Sequence, residues 1–251
     1  EHLTHNQVVA GSSPAGPTKR SEFSERFFFA LEINPHLCVM HWNKHTIEAV
    51  IFDFGGVILN IDYTKTIDAF VALGVSDFEN QYSQMTQSNL FDLLETGKID
   101  PSEFYNLIRK NLNISWSNNS IQHAWNALLE DYRIESLSFL EQLKGRVPTY
   151  LLSNTNAIHQ EKFESDLRND TQYQSLHPLF QKVYYSHQIQ MRKPHKETFH
   201  WVCEQNMLNP ESTLFIDDSK QHLVGARKAG LKTHHLQPTE TIEVLLRDFL
   251  A

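Results

Sequence analysis

Cysteine is almost missing from this chain, with only Cys38 and Cys203 among 251 residues. Two thiols cannot build a multi-bridge disulfide framework, and reduced thiols suit a cytosolic protein. No apolar run approaches the roughly 18 residues that a membrane span needs. Phe27-Phe28-Phe29-Ala30-Leu31 is short and lies between Glu25 and Glu32, unlike the apolar stretch of a signal peptide. Positive charge is scarce too: 22 Lys and Arg stand against 30 Asp and Glu, a net charge of −8. That balance argues against non-specific nucleic-acid binding, which needs a basic face. No internal repeat is visible. The absences point to a soluble, cytoplasmic protein without nucleic-acid or membrane partners. The length allows one core plus a second small module, while oligomeric state leaves no trace in the sequence.

The chain is organised around Ile47 to Leu59. The apolar run Ala49-Val50-Ile51-Phe52 ends in Asp53, two glycines (Gly55 and Gly56) and a second apolar run. Short apolar runs bounded by turn residues read as strands buried on both faces. Asp53 therefore falls at the C-terminal end of a buried strand, where open α/β sheets bind their ligands.

Residues 1–46 do not read as the start of a domain. The chain begins without Met, and Gly11 to Thr18 is loop-like and aperiodic. Gly-Ser-Ser-Pro-Ala-Gly-Pro-Thr can be encoded by a tRNA T-arm running into its acceptor stem. The expectation is a non-native extension with the true start at Met40, the other reading being a disordered tail. A native N-terminal peptide mapping before Met40 would overturn it.

Residues 63–146 read as a helical insert. Ile67, Phe70, Val71 and Leu73 precede the natural C-cap Gly74, and Leu90, Phe91, Leu93 and Leu94 form a second patch. Asp100-Pro101 is an N-cap followed by Pro at the first helical position, with Phe104, Leu107 and Ile108 at helical spacing. Ile121, Ala124, Trp125, Leu128 and Leu129 predict a fourth helix; Leu137, Phe139, Leu140 and Leu143 predict a fifth. Such stripes are expected to form a bundle core. From residue 147 onward strands and helices alternate, with strands over 147–152, 182–185, 213–216 and 232–235. This rhythm predicts an α/β fold, a doubly wound parallel sheet formed by residues 47–62 and 147–251.

Four polar clusters then fall at strand ends or in adjacent loops: Asp53, Ser153-Asn154, Lys193 and Asp217-Asp218. A parallel sheet gathers those ends on one edge. Three carboxylates, an ammonium and a hydroxyl suggest an oxygen-ligand metal site facing an anion. Mg²⁺ favours one or two carboxylates together with phosphate oxygen and water. Asp53 is then placed to attack phosphorus, with Lys193 neutralising the transferring group and Ser153 bonding one of its oxygens.

These clusters, in this order, resemble the haloacid dehalogenase superfamily of phosphohydrolases. Asp53-Phe54-Gly55-Gly56-Val57 is similar to its first motif, Leu151-Leu152-Ser153-Asn154 to its second, Arg192-Lys193-Pro194 to its third and Phe215-Ile216-Asp217-Asp218-Ser219 to its fourth. Gly225 to Leu231 resembles the helix after the fourth motif, and the helical insert occupies the place of the family's type 1 cap. Asp-Phe-Gly-Gly-Val followed by Asn60-Ile61-Asp62 looks most like the α-D-glucose-1-phosphate phosphatase subgroup. The resemblance implies a Rossmann-like core, Asp53 as nucleophile with an aspartyl-phosphate intermediate, and catalytic roles for Ser153 and Lys193. It implies phosphate binding by Ser153, Asn154 and Lys193. Mg²⁺ would be held by Asp53, the Gly55 carbonyl and Asp218, with Asp217 beside them; Asp218 aligns with the acid of the commoner Gly-Asp-Ser form. The implied substrate is a small phosphorylated metabolite, with sugar phosphates among the candidates.

Three positions depart from the family pattern. Gly55 stands where most family phosphatases carry the general acid, a group worth 10²–10⁴-fold. Aryl and sugar 1-phosphates should then react faster than sugar 6-phosphates, unless Asp62 or a cap residue donates the proton. Gln190 replaces a common Gly, and His222 takes the place of a second carboxylate or Asn; it is expected to be structural, since Mg²⁺ prefers oxygen. His187 is a weaker candidate proton carrier. Arg192, Lys196, Arg227 and Lys228 read as solvated charges. Two other functions compete: a catalytically weak binding or regulatory protein, motivated by Gly55, and a 2-haloacid dehalogenase, disfavoured by the full Asp217-Asp218 pair.

Overall fold

The computed structural model describes residues 42, 45–75, 78 and 89–251, all within one unit that runs from Met40 to Ala251. The expectations for residues 1–41 lie outside these. Seven strands occur among the described residues: β1 (Ala49–Phe52), β2 (Leu59–Ile61), β3 (Leu129–Tyr132), β4 (Thr149–Ser153), β5 (Lys182–Tyr185), β6 (Thr213–Asp217) and β7 (Lys232–His235). The helices are α1 (Tyr63–Ala72), α2 (Leu90–Glu95), α3 (Pro101–Leu112), α4 (Asn118–Asn126), α5 (Ile134–Leu143), α6 (Ala157–Asp170), α7 (Ser186–Ile189), α8 (Lys196–Gln205), α9 (Lys220–Lys228) and α10 (Ile242–Leu245). No helix among them is long and apolar enough to cross a membrane.

A five-stranded parallel sheet runs in the order β5-β4-β1-β6-β7, with helices on both faces. The continuous apolar runs of β1, β4 and β6 are explained by burial on both faces. Val50 and Phe52 point into one core with Leu151, Leu214 and Ile216, while Ala49 and Ile51 point into the other with Leu152, Phe199 and Phe215. Phe52 lies opposite Leu151 on one side and Ile216 on the other. That register brings the ends of β1, β4 and β6 level, and β1 lies where the strand order reverses, at the topological switch point.

A separate apolar cluster holds α1 to α4 together through Phe70, Phe91, Phe104, Ile108, Ile121 and Trp125. Asp100 caps α3 by accepting the Glu103 amide at 2.8 Å, an arrangement worth about 1 kcal/mol. Two elements differ from the sequence reading. The fourth helix ends at Asn126, and Leu129 instead enters β3, which pairs antiparallel with β2. In the fifth helix, Leu137, Phe139, Leu140 and Leu143 pack into the sheet core beside Phe52, not into the helical cluster. Both short strands are amphipathic and lie beside the site, so neither shows a buried run or a clean alternation.

Candidate active site

The ends of β1, β4 and β6, with the loop before α8, bring together Asp53, Ser153, Asn154, Lys193, Asp217 and Asp218. Asp53 follows the last residue of β1 and donates its amide to the Ile216 carbonyl at 2.9 Å, which fixes its backbone against β6. Lys193 is fully buried. Its Nζ donates to Asp53 Oδ1 at 2.6 Å and to Asp217 Oδ2 at 2.8 Å, and it lies 5.4 Å from the centre of the Phe215 ring. Burial opposes the Lys193 charge, but Asp217 and Asp53 outweigh it and raise its pKa.

Asp217 accepts from three groups. Besides Lys193 it accepts the Ser219 amide at 2.7 Å and the His222 ring at 2.9 Å through Nδ1. Burial works against its charge, yet Lys193 and the His222 bond hold its carboxyl down at about 2. Asp53 is pushed the other way, up to about 8, by burial and then by the charge of Asp217. Asp218 is also raised, by burial and by Asp217. One ammonium thus serves three neighbouring carboxylates, leaving the site short of positive charge.

The Lys193 loop is held from two sides. The Asn154 side chain accepts the Lys193 amide and donates to its carbonyl, both at 2.9 Å. That pairing holds the amide side chain in place and uses one of the two Nδ2 hydrogens, leaving the other, with the backbone, for an anion. From the other side, α9 presses against the loop at Gly225, where a Cβ would lie 1.8 Å from the Pro194 carbonyl oxygen. The residue expected to be Gly, Gln190, adopts φ 57° and ψ 25° at the end of α7. This is the left-handed region that favours glycine.

The Gly55-Gly56 loop shapes the other wall. Gly56 donates to the Leu59 carbonyl and Leu59 donates to Phe54, so the Gly55 carbonyl takes no part in that pairing. Gly56 has φ +70°, and a Cβ there would lie 2.1 Å from Asp218 Oδ2. The Asp218 carboxylate therefore lies directly against this loop, over space that only glycine leaves open.

Above these groups lies a cleft of about 400 Å³, lined by Asp53, Gly55, Ser153, Asn154, Asp218 and His222 from the sheet side, with Glu95, Leu128 and Arg192 at the far wall. Ion ligands on Asp53, Asp217 and His222 fall within 4.8 Å of one another, and Gly55 and Asp218 line the same cleft. His187 does not line the cleft; its Nε2 lies 2.9 Å from Gln160 Oε1. Asp62 is also absent from the cleft, because its carboxylate caps α1 by accepting the Thr64 hydroxyl at 2.6 Å and the Thr64 amide at 2.9 Å. Lys196, Arg227 and Lys228 are exposed as expected, but Arg192 is not a solvated charge. It is largely covered and pairs with Asp92 and Glu95 of α2. Sequence reading missed Glu95. Its one local trace is a carboxylate at the electrostatically unfavourable C-terminal end of a helix, four residues after buried Phe91.

Fold and site together define an α/β enzyme that works at the carboxyl edge of a parallel sheet through buried, charge-coupled carboxylates. The chain belongs to the haloacid dehalogenase-like hydrolase family, which matches residues 50–235. It is 28% identical over 187 residues to a D-ribitol-5-phosphate phosphatase of Bacteroides thetaiotaomicron, covering 74% of this chain and 90% of that one. A sesquiterpene phosphatase of Aspergillus oryzae is 27% identical over 199 residues, 76% of this chain and 90% of the relative. Among solved structures, a haloacid dehalogenase family enzyme from B. thetaiotaomicron in complex with magnesium and inorganic phosphate superposes with a TM-score of 0.71 at 32% identity, covering 79% of this chain and 98% of that chain.

Proposed function

We propose that this protein is a Mg²⁺-dependent phosphatase that hydrolyses the phosphate monoester of a small polyhydroxylated metabolite through an aspartyl-phosphate on Asp53. The observation that carries the reading is the Asp53–Lys193–Asp217 chain at the floor of the cleft. Lys193 orients the Asp53 carboxylate and supplies positive charge beside the transferring phosphoryl group. Asp217 holds Lys193 ionised and His222 holds Asp217, so these two organise the site and do not themselves touch substrate. Ser153 lines the cleft and donates its hydroxyl to a phosphate oxygen. Asn154 fixes the Lys193 backbone and offers its own amide to the phosphate.

The donor set fits Mg²⁺. Asp53, the Gly55 carbonyl and Asp218 are hard oxygen ligands on one wall, and the charge deficit around Lys193 calls for a further cation. When bound, Mg²⁺ supplies the charge that keeps Asp53 ionised and shields phosphate oxygens from the carboxylates. The helices α1 to α4, which share one apolar cluster, act as a lid that carries Glu95 over the floor.

Glu95, Arg192, Ser219 and Gln221 line the cleft beside the apolar Leu59, Ile61, Leu128 and Phe163, and these polar groups can bond the hydroxyls of the leaving group. The cleft volume suits a five- or six-carbon phosphate. The ribitol-phosphate activity of one relative and the resemblance to glucose-1-phosphate phosphatases support the same class. The test is phosphate release from a panel of polyol, sugar and prenyl phosphates, with Mg²⁺ and with chelator. Release confined to Mg²⁺ and strongest for polyol or sugar phosphates is expected. No release from any monoester would leave a binding protein.

A further inference from the structure

The structure assigns Glu95, on the helical lid, as the proton donor to the leaving oxygen, the role left open by Gly55. This rests on the phosphatase reading above. Among the described residues, the carboxylates lining the cleft are Asp53, Asp218 and Glu95, and the first two belong to the floor. Position 55 itself offers no acid: Gly55 has no side chain, and a Cβ there would meet the flexible end of Ile61, Cδ1, at 3.0 Å. The two histidines on the cleft are committed elsewhere. His159 is bonded to the Trp125 carbonyl and to Asn156, and burial lowers its pKa to about 4; His222 holds Asp217.

Glu95 is built differently. Its Oε2 is covered and lies 3.0 Å from Arg192 Nη2, yet makes no aligned hydrogen bond. The side chain is 25% exposed, so Oε1 is the oxygen left to face the cleft. Arg192 also pairs with Asp92, whose side chain is 50% exposed. One guanidinium is thus shared by two carboxylates. With the solvated Asp92 ionised, Arg192 is already balanced, and a proton on Glu95 leaves no net charge buried. Burial accordingly pushes the Glu95 carboxyl up to about 7, against the opposing charge of Lys193. That is the range in which a general acid works at neutral pH.

The balance of the step is simple. An Asp53 oxygen bonds to phosphorus, the bond from phosphorus to the ester oxygen breaks, and the Glu95 proton moves to that oxygen as the alcohol departs. Glu95, now a carboxylate beside Arg192, then takes a proton from the water that attacks phosphorus and releases Asp53. A donor on the lid suits the chemistry, because the leaving oxygen lies on the side of phosphorus away from Asp53.

The experiment uses the full chain with Mg²⁺ and a series of monoesters of matched size, from an alkyl alcohol to 4-nitrophenol. Wild-type kcat/KM should vary shallowly with leaving-group acidity. Glu95→Gln should lower it about 10²–10⁴-fold for the alkyl ester but less than tenfold for 4-nitrophenyl phosphate, giving a steep series. Glu95→Asp should restore part of the lost slope. An equal loss across the series would overturn the assignment in favour of a structural role. A rise in KM confined to polyol esters, with the slope unchanged, would overturn it in favour of hydroxyl recognition. A steep wild-type series would mean that no acid acts. Thermal melts of both variants separate loss of fold from loss of the donor. If the wild-type protein hydrolyses no monoester, the phosphatase reading fails instead.

Discussion

Asp53→Asn should do two opposite things: stop turnover and stabilise the metal-free fold. Burial, then the charge of Asp217, raises the Asp53 carboxyl from 3.8 to about 8. Between those values the folded protein keeps a proton that the unfolded chain has released, so stability falls as pH rises from about 4 towards 8. At about 1.4 kcal/mol per pKa unit, the penalty at pH 7 has an upper limit of about 4 kcal/mol. Asparagine cannot ionise, keeps the shape and can still accept the Lys193 hydrogen bond, so it removes most of that penalty. With about 2–4 °C per kcal/mol for a chain of this size, a rise in Tm of at least about 3 °C is expected in chelator at pH 7.5, shrinking towards pH 5. Mg²⁺ should raise the wild-type Tm and move the variant much less. Thermal melts across pH, with and without Mg²⁺, are the assay, alongside turnover, which should fall at least about 10³-fold. A variant less stable than wild type in chelator at pH 7.5 would refute the reasoning, because the 2.6 Å contact to Lys193 would then outweigh burial and repulsion.

The paired acids should separate by readout. Asp217→Ala removes one of the two carboxylate partners of buried Lys193 and should cost up to about 3–5 kcal/mol in melts, whereas Asp218→Ala should mainly raise the Mg²⁺ concentration for half-maximal activity; the reverse pattern would exchange their roles. Gly56→Ala puts a Cβ on Asp218 at φ +70°, with backbone strain of about 1–2 kcal/mol, so its Mg²⁺ titration should be weakened together with kcat. Gln190→Gly relieves a left-handed residue and should raise stability by up to about 1 kcal/mol, read from urea midpoints, without changing KM.

The sheet was readable because its parallel strands are buried on both faces and so appear as unbroken apolar runs ending in polar residues, as at Phe52-Asp53 and Ile216-Asp217. Three such endings, with Lys193 in the loop before α8, also exposed the floor of the site. The β2–β3 ribbon was not readable: in Leu129-Glu130-Asp131-Tyr132 only Tyr132 is buried, and its partner strand spans three residues. The role of Asn154 was equally hidden, since an amide that bonds Lys193 looks in sequence like one that bonds an anion. Arg192 and Glu95 meet only through the packing of α2 on the loop before α8, and contacts between distant segments leave no periodic trace. Sequence therefore located the chemistry on the sheet, while the far wall of the cleft emerged only in three dimensions.

The most direct test is to ask where the phosphoryl group goes. The wild-type enzyme, mixed with Mg²⁺ and a ³²P-labelled substrate from the phosphatase panel, is quenched in acid during a single turnover and digested. The account predicts label on the peptide that contains Asp53, rising and then decaying as phosphate is released, and no label on the Asp53→Asn variant. Turnover without any label on that peptide, or near-normal turnover by the variant, would contradict it.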